Sequence, residues 1–349
     1  MKNNRFLSKE MITREQQNFF YHYNSILANP DTILRKIGKN YETYRELKND
    51  PHVWSCIQSR KSGLLALDYY LEENGAKSEV ISLLDNYFKT IDLQQLERDI
   101  LEAPLFGFQP IELVWSFVND GSGYFVPEKA IPKPQEWFVF DNEGQLRFRT
   151  STNHKGIELP DYKILNVQFE ASYINPYGHS LLSKCYWPVT FKNGGIRFWV
   201  NFTERYGMPI MVAQYNRGTT SDENQKLLDE LAKMTQDAVI VTPMDVNIQL
   251  HEAVKTTSVS LFNELIKHCN SEISKVLLSQ TLTTELQTGS YAASITHFKI
   301  RREVIQSDAR LVEQAINKLI QFIVEVNFGL AEKKPKFKIQ LPALDEKKD

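Results

Sequence analysis

The chain has little of what most chemistries require. Its 349 residues include three cysteines, Cys56, Cys185 and Cys269, odd in number, far apart and never in CxxC spacing. They read as buried free thiols in a reducing compartment, which excludes a disulfide framework and a cysteine zinc site. No GxxxxGK[ST] phosphate loop occurs, so the chain is not expected to hydrolyse ATP. GxSxG turns and HExxH helices are absent as well. His22, His52, His154, His179, His251, His268 and His297 are scattered, none at metal-ligand spacing from another histidine or a cysteine. No run approaches the ~20 apolar residues that span a bilayer, and MKNNRFLSKEM has no signal-peptide core. Neither secretion nor a membrane partner is expected. A basic excess is also missing, since 41 basic residues face 43 acidic ones for a net charge of −2. Proteins that grip nucleic acid by counterion release usually carry such an excess. Any contact with DNA is therefore expected to be weak, sliding or confined to a local patch.

What is present belongs to a soluble globular protein, with 42% hydrophobic and 24% charged residues. The length suggests two domains or one elaborate one. A chain of this size hides roughly three quarters of its unfolded surface.

The dominant stretch is 290–329, SYAASITHFKIRREVIQSDARLVEQAINKLIQFIVEVNFG, with no proline and no glycine before Gly329. Phe298, Arg302, Ile305, Ala309, Val312, Ile316, Leu319, Ile323 and Val326 recur at spacings of four and three. This is a helical seam, apolar except at Arg302. Lys299, Glu303, Gln306, Arg310, Glu313, Asn317 and Gln321 form an equally regular polar face. A helix over 292–328 would be about 55 Å long at ~1.5 Å per residue. Three or four turns are usual in globular proteins. Gly329 supplies a C-terminal stop. Such a helix is either the centre of a large domain or runs across an assembly, its seam packed on neighbouring subunits. Periodicity alone favours the first, because most apolar stripes are core.

In chain order, the first fifty residues predict short, weakly packed helical pieces. Asp50-Pro51 predicts a helix start, followed by Trp54, Ile57, Lys61, Leu64 and Leu65 at helical spacing. Residues 68–71 predict a short strand. Helices follow at 78–89 and 92–103, with Ser78 and Asp92 as caps. From 109 to 170 the period becomes two, and strands are predicted at 110–115, 137–140, 145–149 and 164–169. This half reads as an α+β unit with an antiparallel sheet. Residues 178–206 are helical and rich in aromatics, including Tyr186, Trp187, Phe191, Phe198, Trp199, Phe202 and Tyr206. That stripe reads as packing, and Pro188 with Gly194-Gly195 is expected to bend or break the helix. Residues 209–250 read as a small βαββ insertion, with strands at 209–215, 238–242 and 246–250 and a charged helix from Ser221 to about 235. A second long helix over 259–278 has Phe262, Ile266, Cys269, Ile273 and Val276 on one face. The Thr-rich connection 279–289 has no Lys or Arg and exceeds the ~2–8 residues usual between packed helices. Long loops of this kind tend to carry function. A strand at 336–341 and a charged tail end the chain.

Nothing in the residues nominates an active site, and no cofactor or metal is expected. Carboxylate pairs all fall on predicted exposed helix faces, where solvation explains them. Lys299, Arg301 and Arg302 read most simply as a solvated first turn paired with Glu303. They would face phosphates only if several copies of the helix surrounded a channel, and Arg302, which interrupts the seam, favours a special role.

Several pieces together resemble a known family. They are Asp50-Pro-His-Val-Trp-Ser-Cys-Ile-Gln-Ser-Arg-Lys61, Asn175-Pro-Tyr-Gly-His179, Trp187 with Lys192, and Trp199-Val-Asn-Phe-Thr-Glu-Arg-Tyr-Gly-Met-Pro209. Gly289-Ser-Tyr-Ala-Ala-Ser294, Asp308-Ala-Arg and Asn327-Phe-Gly329 complete the set. In order and spacing they resemble the Mu-type portal proteins of tailed bacteriophages and prophages, from about residue 30 to 345. The resemblance implies an α+β, portal-like fold. An α/β wing with an antiparallel sheet precedes two stem helices that flank a small α/β clip. A long helix follows a tunnel loop. On this chain it implies an N-terminal helical arm at 1–49, wing at 50–177, stem helices at 178–207 and 253–280, and clip at 208–252. The tunnel loop would be 281–289 and the long helix 290–329, with a C-terminal strand and tail at 330–349. The chain stops soon after Pro342, where the resemblance implies a longer region, so a crown is expected to be reduced or absent.

The implied function is a non-enzymatic homo-oligomeric ring, typically of twelve copies, at the capsid vertex of the virion, assembled in the host bacterial cytoplasm. DNA is packaged and ejected through its channel. Implied partners are the terminase large subunit, a head–tail connector or adaptor, capsid protein, and duplex DNA passing non-specifically. Channel-facing residues would be Thr281, Thr283, Thr284, Glu285, Gln287 and Thr288 in the loop, with Lys267, Lys275, Lys299 and Arg302 nearby. Partner contacts on the clip would be Asp222, Glu223, Lys226, Asp229, Glu230 and Lys233. Ile305, Val312, Ile316, Leu319 and Ile323 would form an oligomer or core seam. A neutral, hydroxyl-rich loop suits a channel, because strong phosphate anchoring would stall moving DNA. Two other readings compete: an α+β nucleic-acid-processing enzyme, and a helical oligomeric scaffold.

Overall fold

A computed structural model describes residues 26–118, 123–206, 211–215, 218–234, 239–243, 255–281 and 291–341. Two compact units divide the chain: Met1–Tyr186 with Glu272–Asp349, and Trp187–Ser271.

The larger unit begins with α1 (Thr32–Lys36) and α2 (Tyr41–Leu47). Contrary to the expectation of weak packing, Tyr44 and Leu47 of α2 are buried, and Tyr41 meets Phe108 edge-on at 6.2 Å. Helix α3 (Pro51–Leu65) starts as anticipated, with Asp50 accepting from the backbone N–H groups of His52 and Val53. Strand β1 (Tyr69–Glu72), α4 (Ser78–Thr90), α5 (Leu93–Ile100) and α6 (Ala103–Phe106) follow. Asp92 caps α5, but Ser78 does not cap α4, whose N-cap position is Lys77 with no side-chain bond. The expected helix over 92–103 ends early, and Gly107 at φ +96° turns the chain into the sheet.

The sheet is antiparallel, in the order β3 (Phe125–Pro132), β2 (Phe108–Phe117), β6 (Ile164–Gln168). Between β3 and β6 lies a small hairpin of β4 (Phe138–Phe140) and β5 (Leu146–Phe148). Strand β3 was not anticipated; as an outer strand it tolerates Pro127 and Pro132. Gly178, inside the Asn175–His179 motif, has φ +71°, and a Cβ there would lie 2.3 Å from the Gly107 carbonyl oxygen. No other residue fits that approach of two backbones.

Helix α7 (Leu181–Tyr206) is a single element through Pro188, Gly194 and Gly195, so of the expected bend or break no break occurs. Packing outweighs local propensity there. In the smaller unit, Lys192 Nζ lies 3.0 Å from Asn270 Oδ1, and Trp199 stacks on Phe262 at 6.4 Å. A Cβ on Gly195 would come within 2.8 Å of Leu265. Strands β7 (Met211–Tyr215) and β8 (Val239–Pro243) pair in parallel around α8 (Ser221–Met234), a βαβ unit. The anticipated third strand at 246–250 lies outside the described residues. Helix α9 (Lys255–Leu278) leads back to the larger unit.

There α10 (Tyr291–Phe328) runs as one 38-residue helix and stops at Gly329, φ +89°. Its Val312, Ile316, Leu319, Ile320, Ile323 and Val324 are fully buried, packed with Leu84, Ile100, Ile111 and Leu165 from α4, α5 and the sheet. The expected polar face is not simply wet. Strand β9 (Lys336–Ile339) pairs antiparallel with β1 on one side. On its other side Asn317 and Glu313 accept the N–H groups of Phe337 and Ile339 at 2.8 and 2.9 Å. Side chains of the helix thus replace a missing strand partner.

Candidate functional site

Sequence reasoning placed the working residues around the connection between α9 and α10. Thr283, Thr284, Glu285, Gln287 and Thr288 lie outside the described residues. Thr281 is half-buried, and Ser279, at φ +57°, begins the exit from α9. What the structure does give is a frame that ties the last turn of α9 to the middle of α10.

One guanidinium forms the frame. Arg60 of α3 donates through Nε and Nη2 to the two Asp308 oxygens of α10, each at 2.7 Å. Its Nη1 donates to the Leu277 carbonyl, 3.0 Å away, at the last turn of α9. Asp308 is fully buried. A planar fork matches a carboxylate with two parallel bonds, so Arg60 sets orientation as well as distance. Three of its donors are thereby used on the helix before the connection and the helix after it. One turn earlier, His52 Nε2 meets the buried Ser274 Oγ at 2.7 Å, a second link from α3 to α9. Gly63 lets α10 come close to α3, since a Cβ there would lie 2.7 Å from Ile305 Cδ1. No local pattern signals this frame, although Arg60 and Asp308 both sit inside motifs that carry the family resemblance.

A second buried charge cluster braces α3 from the other side. Lys61 Nζ lies 2.6 Å from Glu102 Oε1 and donates to the Arg98 carbonyl at 2.9 Å, while Lys48 pairs with the other Glu102 oxygen. Burial alone would raise the Glu102 carboxyl, but the Lys61 and Lys48 ammoniums hold it below the usual carboxylate range. The same burial pulls Lys48 down. Nearby on α5, Glu97 is pushed up to about 7 by burial.

The remaining predicted residues fall in different settings. Lys275 is exposed and ion-paired with Glu272 at 2.6 Å. Lys267 and Lys299 are exposed, and Arg302 is half-buried. On α8, Asp222, Glu223, Lys226 and Asp229 are exposed. Glu230 and Lys233 lie on the same helix. Glu223 closes the start of that helix, accepting from the Thr220 backbone N–H at 3.1 Å and from Thr220 Oγ1 at 2.9 Å. Those bonds hold its carboxyl below the usual range. Of the seam residues, Val312, Ile316, Leu319 and Ile323 are fully buried in the chain's own core, and Ile305 is half-buried.

The aromatic stripe of α7 divides: Trp199 and Phe202 pack on Phe262 of α9 as expected, at 6.4 and 6.0 Å, while the other side is open. Trp187, Phe191 and Phe198 are 47, 57 and 68% exposed, so this side presents large apolar surface to solvent. Trp187 and Phe191 stack on each other at 5.5 Å, and Leu261 on α9 is also exposed. Among the described residues no cluster of three potential metal ligands occurs, and no helix is long and apolar enough to cross a membrane.

Comparison with known proteins gives a family. A family model described as the portal protein of Mu bacteriophage matches residues 41–349. The chain is 25% identical over 281 residues to the portal protein of Escherichia phage Mu, covering 78% of this chain and 54% of that one. It is 24% identical over 312 residues to the Mu-like prophage FluMu protein gp29 of Haemophilus influenzae, covering 84% and 58%. The chain thus spans a little over half the length of these curated relatives. In structure it resembles a chain from the neck of an empty gene transfer agent particle, with a TM-score of 0.58 at 11% identity over 95% of this chain and 90% of that one. A chain from the virion of a native gene transfer agent gives 0.56 at 12% identity, over 88% and 85%.

Proposed function

The chain belongs to the Mu bacteriophage portal protein family, and on that premise we propose that it is a wall segment of a portal ring at a capsid vertex. Copies close around a channel through which duplex DNA is packaged and later ejected, with twelve the number that the family resemblance implies. The 178–207 and 253–280 segments serve as stem helices and 281–289 as the channel loop. The 208–252 clip is the docking face for the terminase large subunit and then the head–tail connector. Capsid protein surrounds the ring in the virion, and assembly takes place in the bacterial cytoplasm. The protein performs no covalent chemistry in this role.

One observation carries the reading: the exposed aromatic face of α7. Trp187, Phe191 and Phe198 present large rings to solvent in a single chain, on a helix whose Val189 and Lys192 are buried. Contiguous exposed apolar surface of this kind marks an interaction site, and a neighbouring copy covers it in a ring. The Arg60–Asp308 frame supports the same reading, since it anchors both helices that the channel loop connects. Electron microscopy of the purified protein, with mass measurement of the assembled species, tests it. Open-centred rings are expected; solitary protomers at every concentration, with or without capsid protein, would refute it.

A further inference from the structure

A groove of about 780 Å³ lies on the larger unit, between α10 on one bank and the 332–338 segment with β9 on the other. Along α10, Arg310, Gln314 and Lys318 recur every four residues and form one row of the helix. On the opposite bank stand Lys333 and Lys336, with Asn74 at the end. Arg310, Lys318, Lys333 and Lys336 are all exposed, and none meets a carboxylate among the described residues. The acids close by are already engaged: Glu313 with Lys338 at 3.2 Å, Glu325 with Lys334 at 3.3 Å, and Glu332 with Lys77 at 2.7 Å. The chain as a whole is slightly acidic, so this surplus of positive charge is local.

The fold builds the cluster. In β9 the side chains alternate, with Phe337 and Ile339 buried against α10, so Lys336 and Lys338 point away from the core. Pro335, buried just before the strand, fixes the turn that carries Lys333 and Lys334.

We propose that this groove docks an acidic peptide segment of a protein partner. Four cations without a carboxylate partner, on two facing banks, supply charge complementarity, which sets partner choice and speeds encounter. The Gln314 and Asn74 amides supply hydrogen bonds for a peptide backbone. Size selects the occupant. The volume lies in the range of sites that take a small ligand or a few residues of extended chain, whereas a DNA duplex is far wider and would meet only the rim. No aromatic side chain lines the groove, so single strands find no stacking platform. The site does not rest on the ring reading.

Fluorescence anisotropy with a labelled hexaglutamate peptide and a short labelled DNA duplex tests it, at low and at moderate salt. Saturable, salt-sensitive binding of the peptide is expected. Lys333→Glu with Lys336→Glu should weaken it about tenfold or more, and so should Arg310→Glu with Lys318→Glu. Lys89→Glu, an exposed charge reversal on α4, should leave it unchanged, and thermal melts of all variants should match the parent. The proposal is overturned if the parent does not bind the peptide, or if groove and control variants behave alike. It is overturned equally if groove reversals weaken the duplex more than the peptide.

Discussion

Arg60 and Asp308, 248 residues apart in sequence, meet in two parallel bonds of 2.7 Å each. Because the same guanidinium reaches the Leu277 carbonyl, this contact fixes the end of one helix against the middle of another. Breaking one side of such a buried pair leaves the other charge without solvation. Asp308→Ala or Arg60→Ala should therefore cost about 3–5 kcal/mol in chemical denaturation. The double variant Arg60→Met with Asp308→Leu should cost clearly less than either single change.

At Gly63 the prediction concerns volume. Gly63→Val drives its side chain into Ile305, 2.7 Å from where its Cβ must sit, and should cost about 1–3 kcal/mol. Ile305→Ala in the same chain should restore part of the loss, measured by thermal and urea unfolding.

Along the long helix, position decides the outcome. Ile316 and Ile323 are fully buried, so Ile316→Asp or Ile323→Asp should cost more than about 4 kcal/mol and yield little folded protein. Phe298, 63% exposed on the same seam, should accept Phe298→Asp within about 1 kcal/mol in the protomer. Circular dichroism melts separate the two cases.

Glu97 gives a pH dependence of known sign. Its carboxyl is raised by burial from 4.5 to about 7, so the folded chain holds this proton more tightly than the unfolded one. Its contribution is fully present below about pH 4.5 and is lost as pH rises through about 7. Denaturation across that window should show a decline in the parent that Glu97→Gln lacks. The difference should be about 3 kcal/mol at most.

Assembly should depend on the α7 rings. Trp187→Ala with Phe191→Ala, and Phe198→Ser alone, should leave the protomer's melting temperature nearly unchanged because these side chains are exposed. Both should shift sedimentation from rings toward protomers.

Regular local patterns were legible in the residues, and contacts between distant segments were not. The long helix was read over 292–328 and runs over Tyr291–Phe328, because its spacing and its glycine stop are local. The Asp50 cap and β9 were equally plain. The edge strand β3, which tolerates Pro127 and Pro132, went unread, and at Pro188, where a bend or break was expected, α7 continues as one helix. Glu313 and Asn317 looked like a solvated face, yet they receive the backbone of a strand that joins them only after folding. Nothing local marks Arg60 as the partner of Asp308. For the site, Lys267, Lys275, Lys299, Arg302 and the charged residues of α8 lie on helices as read, while the Arg60–Asp308 frame became visible only in three dimensions.

The pairing of β9 with β1 joins two segments that lie far apart along the chain. On the ribosome, Tyr69 and Phe88 wait for Phe337, which stacks on the one at 4.9 Å and packs on the other at 5.6 Å. A nascent chain therefore keeps an open β edge and an uncovered aromatic cluster until Phe337 emerges, whatever has folded before it. Only a chain translated through Ile339 can close this part of its own interior.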